Sequence, residues 1–217
     1  MFTARLTWLG IALLLSGCLG SEATEFPPGL EPLEDNLVEA PMGSIDDPYP
    51  EGWVLEGFDR GPYDTVHARG YMSAPVAEIW QAFRNPDVGA DRRTAAEWRS
   101  EALEEEAYES FVVHSVVHDI VTVEWSTTWR LGLVAGTEAE PDAVAIRWQK
   151  TEGASILRLI EGSLVLRAAG DGSVTEIDLI YNVNALGAGL TEYELYVEDI
   201  LRDALAVAKG DPLPTYE

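Results

Sequence analysis

The chain has 217 residues, 47% of them hydrophobic, which suits one domain with a real core plus a leader and a linker. Its formal net charge is −24, from 38 acidic and 14 basic side chains. Such a surface repels phosphate backbones and anionic headgroups, which argues against nucleic acid as a partner and favours solubility. The single cysteine, Cys18, rules out an internal disulfide.

A basic start carrying Arg5 precedes an apolar run from Leu9 to Leu15, and small residues close it. That is the layout of an export signal. The run is too short to cross a bilayer as a helix, which takes about 20 apolar residues. The ending Leu15-Ser16-Gly17-Cys18 resembles the lipobox of bacterial lipoproteins at every position. The resemblance implies a signal peptide over residues 1–17 and an acyl chain such as palmitate on Cys18, the first residue of the mature protein. It implies a lipoprotein of the cell envelope, held to a membrane at about 0.8 kcal/mol per buried methylene. In lipoproteins of enteric type, Asp after the Cys signals retention in the inner membrane. Leu19 stands there, which favours the outer membrane.

Residues 18–62 read as the acylated cysteine followed by a tether. Pro27, Pro28, Pro32, Pro41, Pro48, Pro50 and Pro62 are scattered among acidic residues such as Glu31, Glu34, Asp46 and Asp47. Proline and like charge favour an extended, poorly packed segment. Trp53, Leu55 and Phe58 near its end are apolar enough to dock on a domain. Residues 65–72 then predict a first strand. Val76, Ile79, Trp80 and Phe83 fall at i, i+3, i+4 and i+7 of a helix that Asn85-Pro86 ends. A second short helix is expected over Arg92 to Ser100, with Ala95 and Trp98 inward.

The period then switches to two. Phe111, Val113 and Val117 share one face of a strand and His114 and His118 the other. Val121, Val123, Trp125, Thr127, Trp129, Leu131 and Leu133 make the apolar face of a long strand. Val144, Ile146 and Trp148 repeat the pattern. Residues 156–168 form another strand, with a bulge expected at Glu161-Gly162. Ala169-Gly-Asp-Gly172 is a hairpin turn leading into Ile177, Leu179, Tyr181 and Val183. A final helical stripe runs through Leu190, Tyr193, Val197, Leu201 and Leu205 and stops before Gly210. The tail, residues 210–217, is expected to fray.

Hairpin-length links between strands predict an antiparallel sheet, and a long amphipathic helix must bury its stripe against it. The fold class is therefore α+β. The order resembles the helix-grip fold of the START-like (SRPBCC) superfamily, which includes polyketide cyclases and lipid-transfer domains. The residues that carry the likeness are Ser73-Ala-Pro75-Val-Ala-Glu-Ile-Trp80, then Glu161-Gly-Ser-Leu164 leading to Gly172-Ser-Val-Thr-Glu176, then the last helix. The resemblance covers residues 63–209 and implies a curved antiparallel sheet wrapped around the long C-terminal helix.

It also implies a cavity between sheet and helix for an apolar small molecule or lipid. Its expected lining is Val123, Trp125, Trp129, Ile146, Trp148, Leu164, Leu166, Leu179 and Tyr181 from the sheet, with Val197, Leu201 and Leu205 from the helix. Trp129→Ala is expected to weaken ligand binding more than folding. The alternative is an enzyme of cyclase or dehydratase type. Arg130, Arg147, Arg158 and Glu161 are its polar candidates, although Arg130 and Arg147 fall on the outward face, where ion pairs with Glu124 and Asp178 are expected. No nucleophile elbow, phosphate loop or zinc-protease signature occurs. No catalytic residue, metal ligand or cofactor is assigned.

Overall fold

The computed structural model describes residues 29–118 and 121–216. The expected signal peptide and Cys18 lie outside the described residues. The elements run β1 (Gly52–Asp59), β2 (Asp64–Met72), α1 (Val76–Phe83), α2 (Pro86–Gly89), β3 (Glu97–Glu104), β4 (Glu109–His118), β5 (Thr122–Gly136), β6 (Pro141–Gly153), β7 (Leu157–Ala169), β8 (Val174–Ala185) and α3 (Leu190–Ala208). Among the described residues there is one eight-stranded sheet, in the order β1-β2-β8-β7-β6-β5-β4-β3. Every neighbouring pair is antiparallel. The helices α1 and α3 pack on one face, and the buried stripe of α3 is Tyr193, Val197, Ile200, Leu201 and Ala204. This is the helix-grip arrangement that the order of elements predicts.

A row of aromatic rings crosses the inner face. Phe111 pairs with Trp129, Trp129 with Trp148, Trp148 with Gly162, and Gly162 with Tyr181. The ring centroids are 5.9 Å apart for Phe111–Trp129 and 4.6 Å for Trp129–Trp148. Trp148 lies 6.1 Å from Tyr181, and Tyr181 lies 4.9 Å from Tyr196 on α3. Gly162 makes the run continuous. It is the one member of the row without a side chain, so the Trp148 indole leans across β7 to reach Tyr181. A Cβ at Gly162 would fall inside that indole. The bulge expected at Glu161-Gly162 is absent. The register of β7 on β8 shifts instead between Leu157 and Leu159.

The tether expected over 18–62 is corrected from residue 29 onward. Residues 52–59 are strand β1, which supplies Trp53 and Leu55 to the core and donates the Trp53 indole N–H to Glu198 of α3 at 2.6 Å. The stretch before it crosses the outer face of the sheet as a strap. Glu31 O accepts from the Arg147 guanidinium at 2.7 Å, and the Leu33 N–H donates to Ser163 Oγ at 3.0 Å. Asn36 Nδ2 donates to Ala68 O at 3.1 Å, Leu179 O at 3.3 Å and Asp178 Oδ1 at 2.8 Å. The Leu37 N–H donates to Nδ1 of His67 at 3.0 Å, so the ring proton sits on Nε2, 2.7 Å from Glu34.

Arg147, Ser163, Ile180 and His67 are successive register partners, so the strap follows one row across four strands. Proline-rich, acidic sequence stays extended here because its partners are polar groups on the sheet, not a second apolar layer. The same segment explains why His67, Arg147 and Ser163 are buried on an outward face.

Four further expectations change. Residues 92–100 are not a helix. A turn leads into the edge strand β3, whose side chains are exposed on both faces, so no helical stripe forms. The tail does not fray through residue 216, since Tyr216 packs back on α3. Arg130 pairs with Glu105 at 2.7 Å in place of Glu124, and that contact holds the Glu105 carboxyl below its ordinary range. Asp178 pairs with Arg69 at 2.7 Å and takes no bond from Arg147.

Two outcomes check this packing. Asn36→Ala strips the strap of its hold on β2 and β8 and should cost about 1–3 kcal/mol in urea unfolding. Gly162→Ala should cost about 1–3 kcal/mol or more by overpacking, and should change the near-ultraviolet circular dichroism of the tryptophans.

Candidate functional site

The aromatic row divides the inner face. On one side the interior is solid. Leu131, Ile146, Leu164, Leu166, Ile177 and Leu179 are fully buried there under α1 and α3. On the other side, beneath the first turns of α3, lies a cavity of about 570 Å³. Ligand pockets commonly span about 300–1,000 Å³ and are mostly apolar. Tyr181 of the row faces it, and the strands line it further with side chains one or more pleats beyond the row: Val113, Ser115 and Val117 from β4, Val123, Trp125 and Thr127 from β5, and Val183 and Ala185 from β8. Ile156, Leu157 and Ile160 close it from the β6–β7 end, and Tyr193 and Tyr196 from α3. Val121 and Leu186, both exposed, stand at its rim.

The twelve residues expected to line the site fall into two groups. Val123, Trp125 and Tyr181 do line the cavity. Trp129, Ile146, Trp148, Leu164, Leu166, Leu179, Val197 and Leu201 are buried in the solid half, and Leu205 is partly buried at its margin. The inward face is the expected one. Depth along the strands differs, because alternation repeats unchanged from the hollow end to the filled end. The further lining residues Val113, Val117, Thr127 and Val183 carry the same period-two signal. Asp91, Thr94 and Tyr196 carry none.

The fourth wall is the segment from Gly89 to Thr94. Gly89 is packed against the Trp129 indole, where a Cβ would collide with the ring, and its carbonyl accepts from the Tyr196 hydroxyl at 2.9 Å. Asp91 folds the loop on itself. Its Oδ1 accepts the N–H groups of Arg93 at 3.2 Å and Thr94 at 3.0 Å, and its Oδ2 accepts the Thr94 hydroxyl. Two guanidinium clamps hold the loop to α3. Arg92 reaches Asp203 at 2.6–3.1 Å, and Arg93 reaches Asp199 with two bonds of 3.0 Å.

The Tyr216 ring lies against both guanidinia, 5.1 Å from Arg92 and 4.9 Å from Arg93, and its hydroxyl donates to Asp203 at 2.6 Å. Burial pushes the Asp199 carboxyl up despite Arg93. Burial also raises Tyr216, helped by the adjacent Asp203 carboxylate.

Inside the cavity, burial raises the hydroxyls of Tyr181 and Tyr196 well above the ordinary range, with the Asp91 charge adding to both. They stay protonated at neutral pH, and the Tyr196 hydroxyl is spent as a donor on Gly89 O. The histidines are elsewhere. His67 lies under the strap, His114 bonds Ser126 at 2.8 Å on the outer face, and His118 lies 3.3 Å from Thr122. Of the polar enzyme candidates, Arg130 and Arg147 bind Glu105 and the strap, and Glu161 accepts from Asn182 at 3.1 Å. Arg158 does not line the cavity. Among the described residues, no group of three or more His, Cys, Asp or Glu side chains is placed to hold a metal. No described helix is long and apolar enough to cross a membrane.

The architecture is thus a helix-grip with one filled and one hollow half. No protein-family model matches the chain, and no curated protein matches its sequence. Solved structures do match. One is the protein TTHA0849 of Thermus thermophilus, at 14% identity and TM-score 0.48 over 67% of this chain and 97% of that one. Another is the Zhui aromatase/cyclase of Streptomyces sp. R1128, at 21% identity and TM-score 0.42 over 67% and 91%. A third is the lipid transfer and protein localization domain of human StarD13, at 10% identity and TM-score 0.49 over 75% and 85%.

The division of the interior reverses the expected behaviour of Trp129. Trp129→Ala should lower stability by about 3–5 kcal/mol, as for a buried aromatic in a packed core. Trp125→Ala, on the partly open cavity wall, should cost less than half of that. Chemical denaturation of the two variants side by side checks the order.

Proposed function

We propose that this chain is a lipid-anchored cell-envelope protein that binds an apolar small molecule, or the apolar part of a lipid, in the hollow half of its grip. The observation that carries the binding role is the cavity: about 570 Å³, walled by aliphatic and aromatic side chains, with a few polar groups at fixed places. Its size suits one drug-sized molecule or a single acyl chain better than a two-chain phospholipid. Binding is favoured over catalysis by the protonation chemistry. Tyr181 and the partly buried Tyr196 are both raised away from the range that proton transfer at neutral pH requires, and both Asp91 oxygens are already hydrogen-bonded.

The anchor rests on the sequence Leu15-Ser16-Gly17-Cys18 and on Leu19 for the outer membrane. Ten residues, 19 to 28, separate Cys18 from the strap. Even fully extended they span about 35 Å, so the domain works close to its membrane.

Organic extraction of the purified protein followed by mass spectrometry tests the binding role. A stoichiometric apolar compound is expected. Absence of any compound, together with failure to bind a neutral naphthylamine dye, would refute it. The anchor is tested separately. Cys18→Ala should abolish labelling by palmitate and release the protein from the membrane fraction, and an unchanged membrane fraction would refute it.

A further inference from the structure

We infer that the cavity selects for a cationic ligand: an apolar body bearing an amine or quaternary ammonium, in preference to a carboxylate or phosphate. This rests on the reading of the cavity as a binding site and names the chemistry of its occupant.

The lining carries charge of one sign. Among the described residues, Asp91 and Glu192 are on it, and no Lys, Arg or His is. The nearest guanidinia, Arg92 and Arg93, are turned away onto Asp203 and Asp199 of α3. The Asp91 charge is felt deep in the cavity, where it adds to the upward shift of both Tyr181 and Tyr196. Four aromatic side chains, Trp125, Tyr181, Tyr193 and Tyr196, stand on the same lining. Aromatic faces attract an ammonium and are the usual walls of quaternary-ammonium cages. An anionic head would meet the opposite field and find no counter-charge.

One feature of the mouth works the other way. The N-terminus of α3 is there, and a helix N-terminus favours anions. The Glu192 carboxylate already sits at that end, where it accepts the Gly189 N–H at 3.1 Å, and it offsets part of that preference. The carboxylate next to the helix end thus adds its negative charge at the mouth.

A matched pair of probes tests this. Dodecylamine and laurate share a chain and differ in the sign of the head. Each is used below its micelle concentration to displace N-phenyl-1-naphthylamine from the purified full chain at neutral pH. The amine should displace the dye at about ten-fold lower concentration. Equal potency, or laurate the stronger, would overturn the inference while leaving the binding role standing. If neither probe nor dye binds, the binding role itself falls.

Asp91→Asn with Glu192→Gln should bring the amine-to-laurate ratio towards one. Glu192→Gln alone serves if the double variant does not fold by circular dichroism, and should lower the ratio part of the way. Glu97→Gln with Glu101→Gln, on the edge strand, should leave the ratio unchanged. A ratio that ignores the lining variants and follows the edge-strand pair would assign the preference to overall charge and overturn the site.

Discussion

A single glycine lets five rings meet across the sheet. Phe111, Trp129, Trp148 and Tyr181 occupy one register row, and Gly162 leaves the gap through which Trp148 touches Tyr181 and so connects to Tyr196 on α3. Each tryptophan buries on the order of 150–250 Å², worth about 4–6 kcal/mol at 25 cal/mol per Å². The indole N–H groups of Trp129 and Trp148 have no acceptor, at a cost of about 1–3 kcal/mol each. Burial wins, and the row stands as a rigid bulkhead. Everything on its filled side holds the fold together, and the space on its other side is free to be hollow.

The hollow side needs support from outside its own lining, because a cavity forfeits the contacts that would otherwise hold its walls. Two devices supply it. The strap stiffens the back of the sheet by satisfying polar groups along one row of four strands. The Arg92 and Arg93 clamps, closed by Tyr216, fix the loop that carries Asp91 to the flank of α3. The Arg92–Asp203 pair is the more buried of the two, so breaking it leaves an uncompensated carboxylate in the interior. Loop and sheet back are thus held by two different kinds of interaction: ion pairs and side chain–backbone hydrogen bonds.

Much of this architecture is legible in the chain. Period-two runs locate β4 to β8 and their inward faces, and the 3.6 period locates α1 and α3. What stays hidden does so for physical reasons. β3 carries Glu97, Arg99, Glu101 and Glu104 on an edge exposed on both faces, so it has no apolar period to read. β1 is hidden in an acidic, proline-rich context, although Trp53 and Leu55 are its signal. The strap bonds mainly through its backbone, Asn36 and Glu34, which no hydropathy pattern records. Val123, Trp125 and Tyr181 line the cavity, whereas Trp129 and Trp148 are packed into the core. Whether an inward side chain meets a partner or a void depends on what arrives from α1 and α3, and those helices are far away in sequence.

The strap also sets an order of events. Leu33 is 130 residues from the Ser163 hydroxyl it bonds, and Asn36 is 142 residues from Asp178. Such long-range closures are slow to form and come after local hairpins. The earliest-synthesised part of this domain can therefore lock only when β7 and β8, nearly the last strands made, already exist. Until then the amino-terminal stretch has no partner on those strands, and the back of the sheet cannot be completed.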